Sequence, residues 1–233
     1  MNFDSPITVV DREGGDETLA ADFVRSRVRA RSALVYKRCF DLVVTLALLP
    51  AAMISAPVIA AAIALDGGNP IYRHVRVGRG GRIFQCYKFR TMHRGAEESL
   101  ERLLERSPVL RDEWNDHFKL RKDPRVTRLG RFLRKTSLDE LPQMWNILRG
   151  EMSWVGPRPV TPAELPKYGR HLPDYLGCLP GITGLWQVSG RSDTTYEQRV
   201  QLDAEYAARW SAMLDLKILL LTVPRVLAAR GSR

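Results

Sequence analysis

The stretch LVVTLALLPAAMISAPVIAAAIAL, Leu42 to Leu65, carries no charged residue. At roughly 1.5 Å rise per residue, a helix of this length is able to cross the apolar part of a bilayer. It is not a cleaved signal peptide, because about forty residues precede it and several of them are acidic. Both flanks are cationic, with Arg25, Arg27, Arg29, Arg31, Lys37 and Arg38 before it and Arg73, Arg76, Arg79 and Arg82 after it. Cationic flanks are retained on the cytosolic side, so two of them oppose a simple crossing. Pro50 and Pro57 each remove a helix hydrogen bond, and Ser55 is placed to satisfy a carbonyl freed at a bend. A helix that enters, bends and returns to the same leaflet fits both features. A true span kinked at its prolines competes with it, and a buried helix of a soluble domain is the third reading.

The chain of 233 residues is long enough for one large domain or two small ones. Its net charge of +10 points to an anionic partner: nucleic acid, an anionic membrane surface or a phosphorylated substrate. The three cysteines, Cys39, Cys86 and Cys178, lie far apart without metal-site spacing and read as reduced, cytosol-facing residues. Residues 1–33 show little apolar periodicity and read as a mobile tail.

Beyond the apolar stretch, the turn cluster DGGNP leads into IYRHVRVGRGGRIFQCYKFRTM, Ile71 to Met92. Alternation on either side of Arg79, Gly80 and Gly81 predicts a basic β-hairpin. Gly95 to Lys122 reads as a charged helix with Leu100, Leu103, Leu104, Trp114 and Phe118 on its apolar side, and a short basic amphipathic helix follows DPRVT. Pro157, Pro159, Pro162 and Pro166 make the stretch after Gly150 largely irregular, and LPGITGLWQVSGRSD reads as a glycine-spaced loop. A helix is expected from about Tyr196 to Arg209. The apolar tail after it suits an interfacial helix, with Trp210 at the headgroup level and Lys217 and Arg225 snorkelling.

The segment RKTSLDELPQMWN, Arg134 to Asn146, holds two adjacent carboxylates. Ser137 and Glu140 have capping-box spacing, and Leu138, Leu141, Met144, Trp145 and Leu148 recur as on a helix that starts between Ser137 and Asp139. An ordinary helix start explains this much. Lys88, Arg90, Arg134, Arg158 (between two prolines) and Arg191 are the cations to gather around Asp139 and Glu140. Arginine grips phosphate oxygens bidentately, and flanking prolines limit the entropy lost in aiming it. A helix N-terminus adds positive field for a phosphate and for an ionised carboxylate, and paired carboxylates suit a hard divalent cation.

The order KRCFDLVV, the hairpin with KFRTM, DPRVTRLGRFLRKTSLDELPQMWNILRGEMSWVGPRPV, PGITGLWQVSGRSD and LDLKILLLTV resembles the bacterial sugar transferase family, the monotopic phosphoglycosyl transferases. The likeness runs from Lys37 to Val223. It implies an α+β fold: a mostly helical cytosolic catalytic domain (67–233) with a small β-hairpin. A re-entrant membrane helix (34–66) and interfacial amphipathic helices would anchor it to the cytosolic face of the bacterial inner membrane. It implies the small class, without the bundle of spanning helices of larger members.

The implied reaction moves a hexose 1-phosphate from a UDP-sugar, galactose or glucose, onto undecaprenyl phosphate in glycoconjugate assembly. Its look is nearest the galactose-type enzymes that initiate exopolysaccharides. In the family the aspartate matching Asp139 is the nucleophile, forming an aspartyl-phosphosugar adduct and releasing UMP, and the glutamate matching Glu140 is associated with Mg2+. Lys88, Arg134 and Arg158 match residues near the phosphates. The family bends its membrane helix at an adjacent Ser-Pro, whereas here an alanine separates Ser55 from Pro57, and Pro50 is a second candidate. Two alternatives stay open: direct transfer with Asp139 or Glu140 as base, and a non-catalytic basic protein that docks through its charge, on membranes rather than RNA. The aromatic platform of an RNA-binding sheet is missing, and no nucleic-acid partner is expected. Glu140 is read as metal ligand, base or cap.

Overall fold

The computed structural model describes residues 13–65, 67–117, 120, 123–190 and 194–227. Contacts divide the chain into residues 1–39 and 40–233, and the fold described here is that of the second unit. The first helix, α1, is assigned Glu13–Leu65 and so begins within the stretch read as a tail, while residues 1–12 lie outside the described residues.

From Phe40 onward α1 has two unlike sides. Phe40, Val44, Leu49 and Ala52 pack on one core cluster, and Ala56, Ile59, Ala60 and Ile63 on another. Val43, Leu46, Met53, Ile54, Val58 and Leu65 stay exposed. The packed stripe follows helical spacing for about 35 Å, at 1.5 Å per residue. A polar clasp fixes its first turns. Asp41, fully buried, accepts from Ser153 Oγ at 2.8 Å and Trp154 N at 2.9 Å. The Trp154 indole N–H donates to Thr45 Oγ1 at 2.9 Å.

Helical assignment continues through Pro50 and Pro57. Ser55 corrects one expectation: its hydroxyl donates to Ala51 O at 2.8 Å, whereas the carbonyl that Pro57 leaves without an amide partner is that of Met53, four residues back. Serine back-bonding of this kind bends a helix by itself.

The basic hairpin forms as the alternation predicts. Strands β1 (Ile71–Val77) and β2 (Ile83–Phe89) pair antiparallel, with Tyr72 opposite Lys88, His74 opposite Cys86 and Arg76 opposite Phe84. Gly80 at φ +68° and Gly81 at φ +77° close the turn in the left-handed region. Gly95 to Lys122 is not one helix: Pro108 starts a second, giving α2 (Ala96–Arg106) and α3 (Pro108–His117), with Phe118 outside the described residues. The amphipathic helix α4 (Arg128–Thr136) is present, its N-cap Thr127 accepting from Gly130 N at 2.8 Å.

Next come a 3-10 turn (Leu138–Glu140), the short α5 (Gln143–Leu148), β3 (Ser153–Val155), a 3-10 segment (Pro162–His171) and α6 (Leu172–Gly177). The glycine-spaced stretch read as a loop instead holds β4 (Gly181–Thr183) and α7 (Leu185–Ser189), and β4 pairs parallel with β3. Gly156, Gly181 and Gly184 allow this, since a Cβ at any of them would strike neighbouring backbone. The helix α8 runs Tyr196–Arg209, as expected, and α9 Ala212–Leu227. Ile218 of α9 is buried, while Met213, Leu216, Leu220, Leu221 and Val223 are exposed. The Trp210 indole turns back to Asp215 Oδ2 at 3.1 Å.

The main core joins Phe84 and Cys86 of β2 with Met144, Ile147, Trp154, Val155, Tyr206 and Ile218. The fold is thus α+β, with two small sheets among helices and one long apolar helix laid along the domain.

Candidate active site

Asp139 and Glu140 sit where α4 reverses. Ser137 ends α4 at φ +57°, the one non-glycine residue with positive φ among the described residues. This left-handed conformation excludes the expected capping box, and the Ser137 side chain makes no cap bond. The chain then makes a 3-10 turn, with Glu140 N bonded to Ser137 O and Leu141 N to Leu138 O. Helix α5 starts only at Gln143 and is six residues long, so the expected helix-end field at Asp139 is replaced by the charges of neighbouring side chains.

In a 3-10 turn adjacent side chains point about 120° apart, and the two carboxylates part company. Asp139 is buried, at 8% exposure. Glu140 is half-buried, and its Oε1 accepts from Lys88 Nζ at 2.6 Å. Burial pushes the Asp139 carboxyl up to about 6; Lys88 and Arg134 pull it down, and Glu140 pushes it further up. Burial also acts upward on Glu140, but Lys88, with help from Arg158 and Gln143, holds that carboxyl below its usual range. Burial therefore pushes one carboxyl up toward neutrality, while Lys88 favours the ionised form of the other.

A small cleft beside the Lys88–Glu140 pair is lined by Arg76, Cys86, Gln143, Arg158 and Gln187. Lys88, Cys86 and Arg76 share one face of the hairpin, as their register requires. The Pro157–Pro159 loop that carries Arg158 is tied down on several sides. Arg76 Nη1 donates to Pro159 O at 3.0 Å and to Glu164 Oε2 at 3.2 Å. Val77 N bonds Val160 O, and Val160 N donates to the Tyr175 hydroxyl at 3.1 Å. Glu164 also accepts from Thr161 N at 2.8 Å and Arg199 Nη2 at 3.3 Å. Arg158 lies 5.7 Å from the Trp186 ring centre, a cation–π distance.

Of the residues singled out in the sequence, Lys88, Asp139, Glu140 and Arg158 converge, and Arg134 is close enough to act on Asp139 while its Nε donates to Thr91 Oγ1 at 2.9 Å. Arg90 turns elsewhere, to Ile63 O at 3.2 Å near the end of α1. Arg191 lies outside the described residues. Sequence reasoning missed Arg76, Gln143, Gln187 and the positioning carboxylate Glu164. The hairpin register was the available signal for Arg76, since pairing Arg76 with Phe84 puts it on the Lys88 face.

Among the described residues no cluster of three His, Cys, Asp or Glu side chains forms a protein cage for a metal. The two adjacent carboxylates nevertheless offer the hard oxygen donors that suit Mg2+, which takes one or two carboxylates and completes its shell with water and phosphate oxygens.

The sequence profile of the bacterial sugar transferase family matches residues 32–229. A UDP-galactose-lipid carrier transferase of Erwinia amylovora is 49% identical over 209 residues, which cover 90% of this chain and 44% of that protein. The exopolysaccharide production protein ExoY of Rhizobium meliloti is 47% identical over 200 residues, covering 84% of this chain and 87% of its own. A UDP-glucose:undecaprenyl-phosphate glucose-1-phosphate transferase of Caulobacter vibrioides is 41% identical over 202 residues, 82% of this chain and 69% of its own. The chain thus spans less than half of the Erwinia protein and most of the Rhizobium one.

Proposed function

Because the chain belongs to the bacterial sugar transferase family, we propose that it transfers a hexose 1-phosphate from a UDP-sugar to undecaprenyl phosphate, the first membrane step of exopolysaccharide or related glycoconjugate assembly. The observation that carries this reading is a buried carboxylate, Asp139, set against Lys88 and Arg134, with Arg158 acting on its neighbour Glu140. A buried carboxylate beside a small cation-lined cleft is an arrangement suited to phosphoryl transfer.

Asp139 attacks the phosphorus next to the sugar; the bond from that phosphorus to the bridging oxygen breaks, and UMP leaves with the electron pair. A phosphate oxygen of the acceptor then attacks the same phosphorus and frees the Asp139 carboxylate. Dividing the transfer in two keeps donor and acceptor anions from meeting. Lys88 and Arg158 offset the phosphate charge, and Lys88 and Arg134 favour the ionised form of Asp139 against the effect of burial. Glu140, with Asp139 beside it, would hold Mg2+, whose role is to neutralise developing charge on phosphate oxygens.

Protein incubated with donor labelled in the sugar phosphate, without acceptor, is expected to carry label on Asp139 and to release UMP. An enzyme that stays unlabelled yet transfers sugar phosphate sinks the covalent route. One observation favours direct transfer instead: a carboxyl titrating at about 6 is well matched to general-base work. Kinetics separate the two, because only the covalent route forms UMP before acceptor is added. Names of relatives divide between galactose and glucose, and parallel assays with UDP-galactose and UDP-glucose identify the sugar.

The packed stripe of α1 supports a re-entrant or in-plane placement. From Phe40 to Ile63 one side of the helix rests on the catalytic domain, so this part lies along that domain rather than standing away from it. The exposed apolar sides of α1 and α9 then face lipid, on the cytosolic leaflet of the inner membrane.

A further inference from the structure

We propose that a second cleft, between the end of α1 and the start of α4, seats the acceptor: a phosphate monoester on a long apolar chain. The inference rests on the transferase reading above. The cleft measures about 650 Å³ and lies apart from the Lys88–Glu140 cleft. Its floor is largely apolar, built from Ala62 and Leu65 in the last turn of α1 with Pro124, Val126 and Leu129, and is open to solvent at Leu65 and Pro124. His93 and Thr127 add polar groups to the lining. Its rim is cationic, with Arg128 and Arg131 exposed on the first turn of α4. Arg131 is held in place, Nη1 donating to Val126 O at 3.0 Å.

Three features select this occupant. An apolar floor and a cationic rim match a molecule with an apolar chain and an anionic head. Two arginines at the positive end of a nine-residue helix favour a phosphate monoester, near −2 at neutral pH, over the single charge of a phospholipid diester. The floor also continues into the exposed apolar side of α1, at Val58 and Leu65, along which a long chain can lie.

The same helix connects the cleft to the chemistry. Arg134 stands one turn beyond Arg131, and the reversal at Ser137 delivers Asp139. Gly130 is buried against Thr91, where a Cβ would strike the Thr91 carbonyl, and Thr91 Oγ1 holds Arg134. Rim and site are therefore fixed to one strand end. Arg128 and Arg131 capture the phosphate, and Arg134 receives it beside the aspartyl adduct.

The test uses the full chain in neutral detergent with polyprenyl phosphate and UDP-sugar. Three variants are compared: Arg128→Glu with Arg131→Glu, the same pair changed to Lys, and Ala62→Trp, which fills the floor without changing charge. Loss of two charge-assisted contacts is expected to raise the acceptor KM roughly ten-fold or more. Ala62→Trp raises it too, the lysine pair restores most of it, and donor KM and acceptor-free UMP release stay near wild type. An acceptor KM unchanged in both the glutamate pair and Ala62→Trp, with active wild type, overturns the proposal. So does an effect seen only in vesicles that scales with their phosphatidylglycerol content, which assigns the cleft to a bilayer headgroup. Wild type that transfers to no polyprenyl phosphate fails at the earlier step and counts against the transferase reading itself.

Discussion

Asp139 is held at a cost in stability. Its carboxyl is raised from 3.8 to about 6 by burial, so the folded chain binds its proton more tightly than the unfolded chain does. At neutral pH the ionised form therefore destabilises the fold, and the penalty disappears as pH falls below the unfolded value. Asp139→Asn, which resembles the protonated acid, is expected to abolish labelling and transfer yet raise the thermal midpoint at pH 7.5. The gain is at most about 3 kcal/mol and fades below about pH 4; melting curves across pH check it, and an unchanged midpoint contradicts the burial account.

Lys88 bears on the same titration from the other side. It is the largest influence lowering Asp139 and the partner of Glu140 at 2.6 Å. In Lys88→Met the acid limb of acceptor-free UMP release is expected to move to higher pH, with a lower plateau. A plateau that falls while the limb stays put would make Lys88 a substrate contact without influence on Asp139.

Among the elements, the clasp between α1 and β3 joins several buried polar groups, Asp41, Thr45 and Ser153. Asp41→Ala leaves the Ser153 hydroxyl and the Trp154 amide without their acceptor, and is expected to destabilise by roughly 3 kcal/mol. Asp41→Asn keeps an acceptor oxygen and should lose less. Chemical denaturation in detergent measures both, and equal losses would mean that the charge, not the hydrogen bonds, matters.

The hairpin, α4 and α8 were legible in the sequence because alternation, capping and helical spacing act within a few residues. The second sheet was not, since β3 and β4 are three residues each and exist only through a pairing across the chain at Gly156 and Gly181. The motif at Asp139 was legible as chemistry but not as geometry. Capping-box spacing is a local signal, and the left-handed turn at Ser137 overrides it because α4 must stop there to turn the chain under β2.

For the whole molecule, the placement of α1 decides on which side of the membrane its ends lie. Ser5→Cys, with Cys39, Cys86 and Cys178 replaced by serine, is expected to react with a membrane-impermeant thiol reagent only after the cells are opened. Reaction in intact cells would make α1 a span. Doubly cationic flanks and two prolines raised this topology in the sequence. What the sequence did not offer was the packed stripe from Phe40 to Ile63, because a run of apolar residues looks alike on its lipid and protein sides.

The hairpin also limits how such a chain is able to change in length. Arg76, Cys86 and Lys88 reach one cleft because they occupy alternate, register-matched positions, so the aim of Lys88 is a matter of parity. A single residue inserted between Ile83 and Lys88 turns the lysine to the opposite face and leaves Glu140 without it, whereas two inserted residues restore the face. By contrast α2 and α3 contact chiefly each other, so length added there leaves that parity untouched. Insertions and deletions, like charges, are thus filtered by whether they fall on the strand that counts in twos.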